Sequence, residues 1–249
     1  MESVTITGGA GSLGREFARL LHSDYRVTVL DNNEWSIAEF RNELPGVKFL
    51  LKDFDHHRTT DDYIIHCAAY KHVDLGESNV NSFIQNNLIK TMRFYESNKR
   101  SKILYISTDK AVEPISSYGA TKMLAEALTR EIDGTVARCG NFLMSSGSVI
   151  PLWEKQIANK EPITITDPVM VRYVSEMKPA VKEIWERFIK GEKLIVPEVR
   201  KIGLLELLEE VLKRHGYAKL ADYEPGLSVI GMRDGEKLEE KLKWDKENI

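Results

Sequence analysis

The chain has 249 residues, 42% of them hydrophobic and 29% charged, which is long enough to bury a full core and excludes a disordered or fibrous protein. A formal charge of -3 without a basic run excludes an evident nucleic-acid-binding surface. No apolar run approaches the ~18 residues of a membrane span, and the polar opening Met1-Glu2-Ser3 does not read as a signal peptide, so a soluble cytoplasmic protein is expected.

Ser3-Val4-Thr5-Ile6-Thr7 is a β-rich run that feeds Gly8-Gly9-Ala10-Gly11-Ser12-Leu13-Gly14, and an amphipathic helix is predicted from Arg15 to about His22. A strand entering a glycine loop that opens a helix is the setting of a dinucleotide site, because glycines let the backbone approach a pyrophosphate whose charge the first helical amides meet. Gly8, Gly11 and Gly14, with Ser12 and Leu13 between them, are therefore candidate cofactor contacts. The second predicted strand, Tyr25 to Leu30, ends in Asp31, an acid about 20 residues beyond the loop and placed to bond a ribose 2′-hydroxyl. Asn32 and Asn33 follow where an NADP site would want an arginine, which favours NAD over NADP. Asp31 could equally cap a helix starting near Glu34.

A third strand, Val47 to Leu51, stops at Asp53-Phe54, an acid and a ring placed for an adenine. The fourth, Tyr63 to Cys67, follows so soon that Asp55 to Asp62 falls short of the dozen or so residues a parallel crossover usually takes. Either the crossover helix is reduced to a turn or the register is shifted. The paired His56 and His57 lack a third ligand and read as solvated loop. Ala68-Ala69-Tyr70-Lys71 leaves the strand on small residues, as a chain passing close to a cofactor would, and a long helix is predicted over Val80 to Asn98, carrying Asn86 and Asn87.

The fifth strand, Lys102 to Ile106, delivers Ser107-Thr108-Asp109-Lys110 at its carboxyl end, where open α/β sheets hold their ligands. The next helix, running to about Glu131, carries Tyr118 and Lys122. Residues four apart share a helical face, so the Lys122 ammonium is expected beside the Tyr118 phenol, favouring its ionised form. Tyr118 could then take a proton from a sugar or alcohol hydroxyl. A sixth strand, Thr135 to Cys139, ends at Gly140-Asn141. Cys67 and Cys139 lack metal spacing and are expected to be reduced core residues.

Beyond Asn141 the alternation becomes irregular. A short helix is predicted near Leu152 to Ala158, a small strand over Ile163 to Thr166, helices over Pro179 to Lys190 and Ile202 to His215, and between them a strand, Leu194 to Pro197, that returns to the main sheet. The expected fold is α/β, a doubly wound parallel sheet over 1–142 joined by about 174–200, with a small substrate-binding region from 143–173 and 201–249.

On these residues the chain resembles the extended short-chain dehydrogenase/reductases, which have a Rossmann-like fold, and within them the nucleotide-sugar 4,6-dehydratases of polysaccharide and capsule biosynthesis. It is most similar to the UDP-N-acetylglucosamine 4,6-dehydratase (inverting) group. The matching stretches are Thr7 to Gly14, His66 to Val73, Ser107-Thr-Asp-Lys-Ala-Val112, Tyr118-Gly-Ala-Thr-Lys122, Gly140-Asn141, Gly147-Ser-Val-Ile-Pro151, Pro162-Ile-Thr-Ile-Thr-Asp-Pro168 and Gly235-Glu-Lys-Leu238. The resemblance implies that Tyr118, with Thr108 and Lys122, removes the proton of a sugar 4-hydroxyl, that Lys110 deprotonates C5, and that Asp109 protonates the departing 6-hydroxyl. It further implies NAD(P) contacts at Ala68, Ala69, Lys71 and Asn87, and a UDP-sugar held by Lys71, Asn141, Ser148, Val149, Arg172, Arg233 and Glu236. A homodimer through helices near Asn79 to Ser97 and Ser117 to Ile132 is also implied. The chain departs from the family at Ser146, where arginine is usual, at Val171 and at Asp234, and it is shorter than usual. Tyr118 sets it apart from membrane-anchored relatives that carry methionine there. Two further readings stay open: a 4-epimerase of the same fold, which has no use for Asp109-Lys110, and a non-catalytic NAD-binding sensor.

Overall fold

A computed structural model of the chain describes residues 1–145 and 147–245; Ser146 lies outside the described residues. Runs of β-branched and aromatic residues alternate with amphipathic stretches through the first 140 positions, and they form β1 (Ser3–Thr7), α1 (Ser12–Leu21), β2 (Arg26–Asp31), α2 (Glu34–Phe40), β3 (Lys48–Leu51) and β4 (Tyr63–His66). There follow α3 (Val73–Ser78), α4 (Val80–Phe83), a π-helical stretch (Ile84–Ile89), α5 (Lys90–Ser97), β5 (Lys102–Thr108), α6 (Ser117–Glu131) and β6 (Thr135–Cys139). The remainder comprises β7 (Asn141–Phe142), α7 (Val149–Ala158), β8 (Ile163–Ile165), β9 (Val171–Ser175), α8 (Met177–Ile189), β10 (Leu194–Ile195), β11 (Arg200–Gly203), α9 (Leu204–Arg214) and β12 (Leu227–Val229).

Seven strands make one parallel sheet in the order β3-β2-β1-β4-β5-β6-β10. Every residue of β1, β4 and β6 is buried, as expected of central strands covered on both faces, whereas Lys48 and Leu51 at the ends of edge strand β3 are exposed. One face packs Phe17, Phe40, Ile184 and Trp185 from α1, α2 and α8 against β1 and β2; the other packs Phe94, Tyr95 and Ala125 from α5 and α6 against β4 and β5. Full burial of side chains of this size contributes roughly 1.5–3 kcal/mol each. A separate cluster around Trp153, Ile163, Val174, Leu208 and Val211 joins α7, β8, β9 and α9.

The short β3–β4 connection has a topological explanation. β4 pairs with β1 and not with β3, so the chain crosses to the far side of β1, and a single 3-10 turn, Phe54–His56, replaces the crossover helix. Eleven residues of extended chain span roughly 36 Å, ample for passing the two strands β2 and β1 at spacings of about 4.8 Å.

Two expectations are corrected. The helix expected to run unbroken over 80–98 is interrupted by the π-helical stretch. The helix expected from Ile202 begins at Leu204, because Arg200–Gly203 pairs antiparallel with β9. In the small sheets β11-β9-β7 and β12-β8, β8 lies where a strand was expected, whereas β7, β9, β11 and β12 do not stand out in the sequence. As expected, β10 returns to the main sheet beside β6.

Candidate active site

The carboxyl ends of β1, β2, β4, β5 and β6 open into one cleft of about 1210 Å³. The glycine turn forms one end of it. A Cβ on Gly14 would lie 2.5 Å from the Gly8 carbonyl oxygen, so only glycine lets the first turn of α1 fold back on the loop. No side chain caps α1 at Gly11, and Gly11, Ser12, Leu13 and Gly14 all line the cleft, leaving the positive end of a ten-residue helix pointed at it. The Asp31 carboxylate, also on the wall, accepts from the amides of Ala10 and Asn33 at 3.0 Å each. The cap of α2 is Asn33, whose side chain accepts from Ser36 N, so Asp31 is not the cap and braces the glycine loop. The uncapped helix, the glycine cradle and Asp31 together fit a dinucleotide.

The loop Ala68-Ala69-Tyr70-Lys71 forms the middle of the wall, beside Asn32, Phe54 and Cys67. Asn87, on the π-helical stretch, clamps that loop: its amide accepts from Tyr70 N at 2.8 Å and donates to Tyr70 O at 2.9 Å. It is buried and is not itself part of the cleft surface, so its place is behind the loop. Asp53 likewise stands off the wall, ion-paired with Lys90, while Phe54 stacks edge-on against His66 and Phe94. Cys67 and Cys139 are free thiols that pack in the core, as expected, and they also reach the cleft floor. Burial holds both thiols up, Cys67 at about 12, so both stay protonated.

At the carboxyl end of β5, Thr108 Oγ1 donates to Asp109 Oδ1 at 2.9 Å and Lys110 Nζ donates to the same oxygen at 3.0 Å. Asp109 is wholly buried, and its Oδ2 has no hydrogen-bond partner among the described residues. Lys110 and Thr108 line the cleft; Asp109 stands directly behind them. Ser116 caps α6 by accepting from Gly119 N at 3.1 Å, which places Tyr118 in the first turn. A Cβ on Gly119 would sit 2.3 Å from the Lys110 carbonyl, so the helix bearing the phenol is pressed onto the turn bearing the amine.

Tyr118 and Lys122 share the cleft as the spacing implied, but their protonation is the reverse of that expected. Burial, then the Asp109 charge, pushes the phenol up against the opposing hydrogen bond from Thr108, and burial brings the Lys122 amine down to about 7 despite the Glu126 charge. Lys122 donates to Ile106 O at 2.6 Å and stands 4.0 Å over the Tyr105 ring. Desolvation penalises both charged forms more than one ion favours the other.

Of the expected sugar-side residues, Lys71, Asn141 and Ser148 line the cleft. Ser148 Oγ is buried without a hydrogen-bond partner among the described residues, at the uncapped start of α7, where Val149 is the first helical residue. Arg172 lies elsewhere: it is buried and its Nη1 donates to the carbonyls of Val171, Lys237 and Leu238, so its guanidinium is occupied in fastening the C-terminal tail. Arg233 and Glu236 are off the cleft wall and close a turn through Arg233 N to Glu236 Oε2. Sequence reasoning missed the buried pair beneath the site, in which Arg138 donates to Glu126 at 3.0 and 2.6 Å and Ser107 Oγ donates to Glu126 at 2.6 Å. It also missed Glu240. The signal for the first was available, since a glutamate four residues after Lys122 continues the same helical face.

The model of the family described as polysaccharide biosynthesis protein matches residues 4–249. An uncharacterised membrane protein of Methanocaldococcus jannaschii is 36% identical over 97% of this chain and 80% of its own length. The UDP-N-acetylglucosamine 4,6-dehydratase (inverting) of Campylobacter jejuni is 29% identical over 96% and 76%. UDP-glucose 4-epimerase of Rickettsia felis is comparably similar, and the chain spans 45% of the length of the capsular polysaccharide biosynthesis protein CapD of Staphylococcus aureus. Among solved structures, the dTDP-glucose 4,6-dehydratase DesIV of Streptomyces venezuelae, with NAD bound, superposes with a TM-score of 0.83 at 22% identity over 98% of this chain and 89% of its own, a likeness of fold. No helix among the described residues is long and apolar enough to cross a membrane.

Proposed function

Because the chain belongs to the polysaccharide biosynthesis protein family, whose relatives are short-chain dehydrogenase/reductase-type nucleotide-sugar dehydratases and epimerases, we propose that it is a 4,6-dehydratase of UDP-N-acetylglucosamine using NAD. One observation carries the choice between the two activities: a buried carboxyl, Asp109, hydrogen-bonded to an amine, Lys110, that faces the cleft. Exchange of configuration at C4 needs neither group, whereas loss of water across C5 and C6 needs an acid and a base together.

Passage of one proton across the 3.0 Å contact, from the amine to the carboxyl, would give the acid and the free amine that the elimination requires. Burial holds the Tyr118 phenol up, and the positive charge that an oxidised dinucleotide would bring opposes it; so ionised, Tyr118, helped by Thr108 and Lys122, would take the proton of the sugar 4-hydroxyl. The dinucleotide, when bound, supplies hydride acceptance at C4, its return at C6 and, oxidised, a positive charge in the cleft. With C4 a ketone, the C5 proton is acidic and passes to Lys110, while Asp109 protonates the departing 6-hydroxyl as water. A proton then returns to C5, so two protons taken are matched by two given.

Gly11 to Gly14, Ala68, Ala69 and Phe54 would hold the dinucleotide, and the Asp31 carboxylate would repel a 2′-phosphate, favouring NAD over NADP. Lys71, Asn141 and Ser148 would hold the UDP-sugar. Exposed Val80, Ile84, Met92, Leu124 and Ile132 on α4 through α6 support a homodimer through those helices.

Incubation with UDP-N-acetylglucosamine in deuterated water, read by mass spectrometry, tests the proposal. Loss of one water with one deuterium gained at C5 is expected, and the configuration at C5 then defines the product. A C4 epimer without loss of water would instead establish the epimerase.

A further inference from the structure

The C-terminal tail carries into the site an acid that none of these roles uses. Glu240 is 1% exposed, and the tail is fastened on both sides of it: Val171 N donates to Leu238 O at 2.8 Å, Arg172 Nη1 to Lys237 O at 2.9 Å, and Arg138 Nη1 to Leu242 O at 2.9 Å. Held there, its carboxylate straddles two amines, with Oε1 3.6 Å from Lys110 Nζ and Oε2 3.1 Å from Lys237 Nζ. Lys237 in turn donates to Val112 O at 2.8 Å, two residues beyond Lys110. The Lys110 amine therefore sits between two carboxylates, Asp109 at 3.0 Å and Glu240 at 3.6 Å. Two acids and two amines balance the charge of the cluster, which a buried group of ions requires.

We propose that Glu240 is a positioning residue for Lys110, a role that rests on the dehydratase reading for its chemistry. A lysine side chain has four rotatable bonds, and a neighbouring Asp109 alone would let the amine pivot. A second carboxylate within 3.6 Å narrows where the nitrogen can point. Asp109 and Lys110 carry the loss of water, so Glu240 supports that step; on Tyr118 its charge only adds to the burial that holds the phenol up, so removing it does not slow the oxidation at C4, which belongs to Thr108, Tyr118 and Lys122.

Glu240→Gln and Glu240→Asp test this with two measurements. The first needs no substrate: reductive methylation followed by peptide mass spectrometry compares the modification rate of Lys110 in each protein. Lys110 should react several-fold faster in Glu240→Gln, while lysines outside the cluster are unchanged and Glu240→Asp lies between. The second supplies NAD and UDP-N-acetylglucosamine and follows reduced dinucleotide and water loss separately. A misplacement of the order of 1 Å costs up to ~100-fold, so water loss should slow at least ~10-fold while C4 oxidation keeps its rate and reduced dinucleotide accumulates. Equal labelling of Lys110, or both steps falling together, would overturn the inference. A wild-type protein that loses no water from this sugar would overturn the dehydratase reading instead, and the labelling would still decide whether Glu240 holds Lys110.

Discussion

At the scale of the residue, position was legible and protonation was not. The interval from Tyr118 to Lys122 places both groups in the cleft, but the direction of their shifts depends on burial, which spacing does not encode. Gly119 shows how little room the arrangement leaves. Gly119→Ala would drive a methyl onto the Lys110 carbonyl, forcing α6 away, and C4 oxidation should fall by up to ~100-fold, the cost of a shift of about 1 Å; stopped-flow reduction of the dinucleotide measures it. His66 offers a test in the other direction. It is fully buried between the Thr7 and Thr91 hydroxyls, 2.6 and 3.0 Å away, and burial, reinforced by the Lys122 charge, lowers it to about 3. Its folded value lies below the unfolded 6.5, so the unfolded chain binds the proton first and stability is lost as pH falls from 6.5 toward 3. That loss is about 1.4 kcal/mol per pH unit. Urea unfolding of His66→Gln between pH 6 and 4 should show a flatter decline than wild type.

At the scale of the element, the long strands and helices announced themselves by their apolar patterns, and two features did not. One is the π-helical stretch Ile84–Ile89, since a single extra residue per turn leaves the apolar spacing of Val80 to Ser97 nearly helical. Its effect is to seat Asn87 against the loop that walls the cleft. Asn87→Ala removes both bonds to Tyr70, at about 0.5–1.5 kcal/mol each. Calorimetry should show weaker NAD binding together with a lower melting temperature. The other is the set of two- to five-residue strands β7, β9, β11 and β12, which are defined by their partners more than by their own composition. Val171-Arg172-Tyr173-Val174-Ser175 alternates only weakly, and the resemblance implied that Arg172 holds a UDP-sugar, whereas two of the carbonyls it fastens lie 65 and 66 residues further on, where no local pattern points.

At the scale of the whole molecule, Arg138 and Glu126 tie three parts together: β6, the helix of Tyr118, and the tail at Leu242. Both side chains are fully buried, so removing one strands the other. Arg138→Leu should cost about 3–5 kcal/mol, and the double variant Arg138→Leu with Glu126→Leu should recover much of it, because a buried ion pair often contributes little over apolar residues of similar size. Chemical denaturation of the two variants beside the wild type measures both. Fold class was readable from the sequence because strand and helix patterns are local. The fastening of the tail was not, because it joins Val112 to Lys237, 125 residues apart, and Arg138 to Leu242, 104 apart.

That separation has a consequence for how the protein is made. On the ribosome, β5 and α6 emerge and can wind into the sheet while Lys237, Glu240 and Leu242 are still untranslated. The glycine loop and the helix of Tyr118 therefore precede both α8, which covers one face of the sheet, and the strap, and on the proposal above Lys110 gains its second anchor only when the tail threads past Val112.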